Sequence, residues 1–164
     1  MPRRTAVKLR HARHIGRPQA AGSMAAGWIA AIAALGVTPV YAVNCTLGVQ
    51  GVTFGPYDPL SAQSTDSAGS ISVSCDSSDT FTIALSSGHG MMLSRQMQNG
   101  AYSMTYNLYT DSLRSVVWGD GTGSTTLVSA TGTGATYAVY GRIPSAQNLP
   151  AGTYNDSIIV TLTF

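Results

Sequence analysis

The residues best suited to chemistry in this 164-residue chain are few. His89 is the one histidine beyond residue 14, and nearby serines and aspartates make a Ser-His-Asp hydrolase one interpretation. The chain has no Gly-x-Ser-x-Gly elbow, however, and both Ser and Asp are also common in turns. Because His89 stands in Ser87-Gly88-His89-Gly90, we expect a solvated histidine at a loop tip and no enzymatic activity.

Two further motifs resemble ligand-binding loops but lack residues that such loops need. Gly119-Asp120-Gly121-Thr122-Gly123 resembles a phosphate-binding loop, but no Lys follows it and no helical pattern begins after it. Asp76 and Asp79 supply too few oxygen ligands for a calcium loop. Since the chain also contains no Glu, few groups are suited to general acid–base catalysis. We expect neither a metal site nor a cofactor.

Residues 1–42 have the organisation of a secretory signal peptide. All their basic residues lie within the first 17 positions, and an apolar run follows over residues 24–37. Val40-Tyr41-Ala42 then provides a small-residue site, which predicts cleavage between Ala42 and Val43. A membrane-spanning helix needs about 20 apolar residues, and this run is shorter. The chain is therefore expected to be secreted.

Two other interpretations of the leader fit less well. The Arg3-Arg4 pair is typical of a twin-arginine signal, but the apolar run begins far downstream of it. Translation starting at Met24 would leave a leader without positive charge.

Residues 43–164 are expected to form one domain with a modest core. They contain three Arg, seven Asp and no Lys, which gives a formal net charge of −4 and argues against nucleic-acid binding. Both cysteines, Cys45 and Cys75, lie in this part. In an oxidising compartment an isolated pair is expected to form a disulfide, which would stabilise the fold by about 3–4 kcal/mol.

The hydrophobic pattern of residues 43–164 is that of short strands separated by turn residues. It predicts an all-β, antiparallel sandwich with loops over residues 55–68, 87–101 and 119–124. The predicted strands are residues 45–54, 69–75, 80–86, 103–110, 115–118, 125–130, 135–143 and the terminal strand from residue 158.

The terminal strand alternates, with Ile158, Val160, Leu162 and Phe164 on one face. It carries no charge after Asp156 and no Pro, although strands at a sheet edge usually carry such protection. We therefore expect another strand to cover it, from this chain or from another protein. Asp156 shares the parity of the apolar face, so we expect the regular strand to begin after it or a bulge to intervene.

An ordered series of motifs across residues 43–164 resembles the spore coat protein U domain family, which occurs in subunits of archaic, Csu-type chaperone–usher pili. The motifs are Cys45, Phe54-Gly55-x-Tyr57-Asp58-Pro59, Gly69-x-Ile71-x-Val73-x-Cys75, Arg95-x-Met97, Tyr106-Asn107-Leu108-Tyr109-Thr110-Asp111, Val117-Trp118-Gly119-Asp120-Gly121, Gly141-x-Ile143-Pro144, Pro150-Ala151-Gly152-x-Tyr154-x-Asp156 and Val160-Thr161-Leu162-x-Phe164.

The resemblance implies an immunoglobulin-like sandwich that lacks its last strand, leaving a groove beside Ile158, Val160, Leu162 and Phe164. It implies that a periplasmic chaperone fills this groove first and that a neighbouring pilus subunit replaces it by donor-strand complementation. It further implies an outer-membrane usher as a partner, passage through the periplasm to a cell-surface pilus, and a role in attachment and biofilm formation.

One departure from the family concerns the N-terminal donor strand. Cleavage after Ala42 would leave Val43-Asn44 before Cys45, and two residues span only about 7 Å. We therefore expect a subunit that accepts a strand without donating one, at the tip or end of a fibre. The alternative is a complete, monomeric sandwich that binds a carbohydrate or surface ligand through its loops. The sequence assigns no role to Arg95 or to the Met91–Met97 segment.

Overall fold

The computed structural model describes residues 5–11, as backbone, and residues 42–164 with their side chains. Most of the predicted leader, including its apolar run, lies outside these residues. The described residues form strands and loops without a helix. The strands are β1 Thr5–His11, β2 Cys45–Gln50, β3 Val52–Gly55, β4 Thr65–Cys75, β5 Asp79–Leu85, β6 His89–Met91, β7 Ser94–Asn99, β8 Tyr102–Tyr109, β9 Val128–Gly132, β10 Thr136–Ile143 and β11 Tyr154–Thr163.

These strands build two sheets that share β8. One sheet has the order β2-β4-β10-β8, with antiparallel neighbours throughout. In the other sheet β11 lies between β1 on one edge and β5 and β7 on the other, and β9, β6, β8 and β3 extend it. β8 passes from β7 to β10 near Tyr106, Asn107 and Leu108, which are all buried. The predicted immunoglobulin-like sandwich is confirmed.

The predicted first strand, residues 45–54, is divided at Gly51. β2 pairs with β4, whereas β3 continues the chain into the other sheet and pairs with β1. The chain passes closely over Gly69 of β4 at this point, and a Cβ on Gly69 would lie 3.0 Å from the carbonyl carbon of Gly51. The crossing therefore depends on a glycine in the strand beneath it.

The predicted disulfide is confirmed. Cys45 and Cys75 are directly opposite one another in the β2–β4 ladder, with a Cα–Cα distance of 4.0 Å and an S–S distance of 2.07 Å. The bond closes the hairpin-like pair at its end, beside a backbone hydrogen bond from Asp76 to the carbonyl of Asn44.

The core fills the space between the sheets and is formed by alternate residues of the strands. Trp118 is fully buried, and its indole N–H donates a hydrogen bond to the carbonyl of Ile83. Phe81 packs edge-on against Tyr137. Burial of the inner face of these strands is the main stabilising contribution to the domain.

Two predicted elements are wrong, and the predicted loop over residues 55–68 is shorter than expected, because β4 begins at Thr65. The predicted loop over residues 87–101 contains the hairpin of β6 and β7. β7 has no apolar alternation that would predict a strand, because one of its two buried residues is Arg95. The predicted strand over residues 115–118 forms isolated bridges, Tyr109 with Val117 and Trp118 with Thr126.

Candidate strand-binding groove beside the last strand

The predicted groove residues lie on β11 and at its end. Ile158, Val160 and Leu162 are buried on the inner face of the strand, as their alternation predicts. Phe164 follows the strand and packs, partly buried, against the same core. The outward positions are exposed for most of the strand, and Ile159 among them is half exposed. From Ile158 onward, β11 thus presents an apolar face to the interior.

The two edges of β11 have different kinds of neighbours. Val160 pairs with Leu85 of β5 on one edge and with His11 of β1 on the other. β5 belongs to the domain of residues 43–164, but β1 belongs to the predicted leader. β1 runs parallel to β11 over seven residue pairs, from Thr5 opposite Tyr154 to His11 opposite Val160.

β3 stands on the other side of β1. Val7 of β1 pairs with Val52 of β3, and the register shifts between Thr5 and Ala6. Since neighbouring strands are about 4.8 Å apart, β3 and β11 are separated by about twice that distance. We call this interval, which one strand fills, the β3–β11 gap.

Tyr106 of β8 forms the floor of the β3–β11 gap and contacts both of its sides. Its hydroxyl donates a 2.7 Å hydrogen bond to Oδ2 of Asp156 on β11. Its ring packs edge-on against Phe54 of β3, with ring centroids 6.1 Å apart. Burial and the charge of Asp156 raise the pKa of Tyr106 far above its ordinary value, so the phenol remains a hydrogen-bond donor.

β3 itself is held from below by close packing on β10. Val52 and Phe54 are buried, and they lie over Gly141, where a Cβ would come within 2.6 Å of the Phe54 ring and 2.8 Å of Val52. A side chain at residue 141 would therefore require β3 to move.

Asp156 corrects the expectation of a late strand start or a bulge. β11 begins at Tyr154 and continues through Asp156 without a register shift, with the carboxylate buried. The carboxylate accepts hydrogen bonds from Tyr106, from the backbone N–H of His89 at 3.2 Å and from the N–H of Ser157 at 2.7 Å. A buried carboxylate is tolerated on this face because its oxygens are satisfied.

His89 opens β6 and is more constrained than the solvated loop histidine we expected. Its side chain is 62% exposed, but Nδ1 lies 2.9 Å from Oδ1 of Asp156. Gly88, at φ 59°, brings the chain so close to β11 that a Cβ there would collide with Asp156 and Ile158. The hydrogen bonds that the structure shows for His89 therefore fasten β6 to β11, which is a structural role.

Arg95 is a site residue to which the sequence assigned no role. Its side chain is fully buried on β7. The guanidinium donates to the carbonyl of Ser86 from Nε at 3.0 Å and from Nη2 at 2.9 Å, to the carbonyl of Trp118 at 2.8 Å and to Oδ1 of Asn107 at 2.6 Å. Burial lowers its pKa. An isolated Arg in a polar segment does not by itself indicate a buried residue. The alternation of Arg95 with Met97 is a sequence signal that could have indicated its burial.

The Arg95 contacts extend to β11. Ser86, whose carbonyl Arg95 binds, donates its backbone N–H to the carbonyl of Ile159, and its hydroxyl accepts the N–H of Ile159 at 2.9 Å. Arg95 therefore holds the edge of β11 that faces away from the β3–β11 gap.

The other two arginines of residues 42–164 lie together on the outside of the β4–β10 pair. Arg142 makes two hydrogen bonds to Asp66, at 2.7 and 2.8 Å, and Arg114 lies 3.2 Å from the same carboxylate. The hydrogen bond from Arg142 is the main cause of the lowered pKa of Asp66. Arg114 also lies over the ring of Tyr140.

The remaining sequence candidates are turns or surface residues. Asp120 accepts hydrogen bonds from the N–H and hydroxyl of Thr122, as turn chemistry predicts. Within the described ranges, no group of three or more His, Cys, Asp or Glu residues is placed to hold a metal ion. No helix long and apolar enough to cross a membrane occurs among the same residues. Of the Met91–Met97 segment, Met97 is buried, whereas Met91 and Leu93 are exposed.

The fold defines this protein as an immunoglobulin-like β-sandwich with one disulfide. Its sequence matches the family model of the Spore Coat Protein U domain over residues 31–161, and the chain belongs to that family. It is 35% identical over 127 residues to Protein U of Myxococcus xanthus, an alignment that covers 69% of this chain and 71% of that protein.

A solved structure with the same fold is the CsuC–CsuE chaperone-tip adhesion subunit pre-assembly complex from the archaic chaperone–usher Csu pili of Acinetobacter baumannii. The TM-score is 0.54 and the identity 18%, over 75% of this chain and 40% of the matched chain. The likeness confirms the sandwich, and the match covers less than half the length of that chain.

Proposed function

We propose that this protein is a structural and adhesive subunit of a pilus assembled by a chaperone–usher pathway. The observation that carries the proposal is the β3–β11 gap, which residues 43–164 leave open and a strand from outside them fills. Membership of the Spore Coat Protein U domain family and the fold shared with a chaperone-bound pilus subunit support it. In this role the domain acts by β-strand addition, and no covalent chemistry is involved.

The proposed binding energy has two sources. A strand in the gap completes the backbone hydrogen bonds of β3 and β11, and it covers the apolar surface formed by residues such as Val52 and Ile158. The proposed ligands are first a periplasmic chaperone and then a neighbouring pilus subunit, with an outer-membrane usher directing the exchange. Attachment to surfaces and biofilm formation would follow from the assembled fibre.

The test is periplasmic expression of the chain with and without a candidate chaperone from the same bacterium. We expect soluble protein in complex with the chaperone and little soluble protein without it, because an empty gap exposes backbone and apolar surface. A soluble, stable monomer obtained without any chaperone would contradict the proposal and favour the alternative, a complete sandwich that binds a ligand through its loops.

Photo-crosslinking would locate the contact. A crosslinking amino acid at Thr53 of β3 or Ser157 of β11, two exposed positions beside the gap, should capture the chaperone. The matched control is Ser129, an exposed position on β9, from which no crosslink is expected. Equal crosslinking from all three positions would mean that the chaperone binds elsewhere.

We also propose that cleavage between Ala42 and Val43 produces a tip or terminal subunit that cannot donate a strand. The family match begins at residue 31, so the fate of residues 31–42 decides this point. Mass measurement of the mature protein is the direct test. A mature N-terminus near Ser23 would retain a donor segment and overturn the terminal position, while leaving the pilus assignment intact.

A further inference from the structure

The strand that fills the β3–β11 gap comes from the chain's own leader. β1 occupies residues 5–11, well upstream of the predicted cleavage site, and pairs with β11 on one edge and β3 on the other. The connecting residues 12–44 can span on the order of 100 Å when extended, which is ample for this strand to return to the sandwich.

The sequence of β1 suits the position. Val7 and Leu9 alternate with Lys8 and Arg10. The register sets Val7 and Leu9 opposite buried positions of β11, and it sets Lys8 and Arg10 opposite exposed ones. Period-two alternation in register with that of the neighbouring strand is the pattern of a strand with one buried face.

Charge and covalent linkage act in the same direction. The leader is strongly basic, while residues 43–164 carry a formal net charge of −4. Opposite net charges favour association. A tether of this kind also gives an effective concentration of about millimolar, which is lost when the tether is cut.

We infer that residues 5–11 close the β3–β11 gap in the unprocessed chain, so that cleavage after Ala42 opens the gap to other strands. The leader then has a second role besides export, as an intramolecular placeholder that keeps the precursor from binding partners or aggregating. This inference rests on the proposed function, since it concerns the same gap.

The test compares full-length, oxidised chains that differ at one residue. Val7→Pro removes a backbone N–H from β1, which is paired on both edges, at a residue opposite both Asp156 and Val52. Ala21→Pro, in the leader but outside β1, is the matched control. Hydrogen exchange of residues 5–11, read by mass spectrometry, and binding of the hydrophobic dye ANS are the two measurements.

We expect residues 5–11 to exchange about tenfold more slowly in the wild type and in Ala21→Pro than in Val7→Pro. ANS fluorescence should rise in Val7→Pro, and it should also rise when the wild type is cut after Ala42. Addition of a synthetic peptide of residues 3–13 should reverse the rise in the cut protein.

The other outcomes separate this inference from the proposed function. Rapid exchange of residues 5–11 with high ANS binding in all three chains would overturn the placeholder and leave an open gap, as the pilus proposal requires. Rapid exchange with low ANS binding in all three would mean that the sandwich is complete without a strand, which would overturn both. Protection that survives Val7→Pro would also overturn the placeholder.

Discussion

β2 and β3 are consecutive pieces of one run of sequence, and they are held in opposite ways. β2 is joined to β4 by six register pairs and the Cys45–Cys75 disulfide. Within the described part of the chain, β3 has β1 as its one paired strand. The side of the sandwich at β2 is therefore completed by residues 43–164 themselves, and the side at β3 is completed by β1, which lies outside them. The division falls at Gly51, where the chain crosses between the sheets.

The proposed function requires residues 43–164 to be stable enough to persist while the β3–β11 gap is open. A disulfide mainly restricts the unfolded chain, so it stabilises the whole domain without filling the gap. The packing of Phe54 on Tyr106 and Gly141 holds β3 in addition to its pairing with β1.

The largest effect is expected from releasing the far edge of β11. Arg95→Met leaves the carbonyls of Ser86 and Trp118 without their guanidinium donor, and we expect the free energy of unfolding to fall by about 3–5 kcal/mol. Urea unfolding of the oxidised, full-length chain measures it. Arg142→Met, whose side chain is 36% exposed, is the control and should cost less than about 1 kcal/mol. A loss below about 1 kcal/mol for Arg95→Met would mean that β11 is held without the Arg95 contacts.

Removal of the disulfide tests whether the side at β2 is independent of the gap. Cys45→Ser/Cys75→Ser should lower the free energy of unfolding by about 2–4 kcal/mol. Crosslinking from Thr53 and Ser157 should keep its pattern, because neither position belongs to β2. The loss should also add to that of a variant at the gap within about 0.5 kcal/mol. A clear departure from additivity would show that the two sides act as one unit.

Tyr106→Phe isolates the hydrogen bond across the floor of the gap. The ring is retained, so we expect a loss of about 1–2 kcal/mol from the unpaired Oδ2 of Asp156. Because the folded state raises the pKa of Tyr106, its contribution is complete below the ordinary tyrosine value of 10.0 and declines as the pH rises above it. Unfolding measured at neutral pH and above pH 10.0 should show a smaller alkaline decline in Tyr106→Phe than in the wild type.

The smallest effect is expected at the ion pair of Asp66 with Arg142, between β4 and β10. Asp66→Asn should cost about 0.5 kcal/mol or less, since surface ion pairs contribute little. The folded state lowers the pKa of Asp66, so the contribution is present above the ordinary value of 3.8 and is lost as the pH falls through the lowered one. Comparison of wild type and Asp66→Asn between neutral and acid pH, with and without high salt, measures it. A cost that does not change with salt would point to packing instead of charge.

The sequence predicted strands well where apolar residues alternate regularly. The alternation of Ile158, Val160 and Leu162 identified β11, and the isolated cysteine pair identified the disulfide. The motif series also identified the family correctly.

Residues whose environment depends on distant partners could not be predicted in this way. Asp156 is buried because Tyr106 and His89 reach it from other strands, and nothing adjacent in sequence announces those partners. Arg95 hid β7 for the same reason, since its burial depends on the carbonyls of Ser86 and Trp118. β1 was missed because a basic N-terminal segment before an apolar run is normally assigned to export alone.

Gly141 determines how closely β3 can pack on β10, and therefore where one side of the gap lies. It lies on the opposite sheet from β11, yet the missing methyl group there allows β3 to sit where it does. Gly141→Ala would displace β3, which forms one side of the gap, and would leave every residue of β11 unchanged. Related domains can therefore differ in the width of this gap through a residue that lies on neither β3 nor β11.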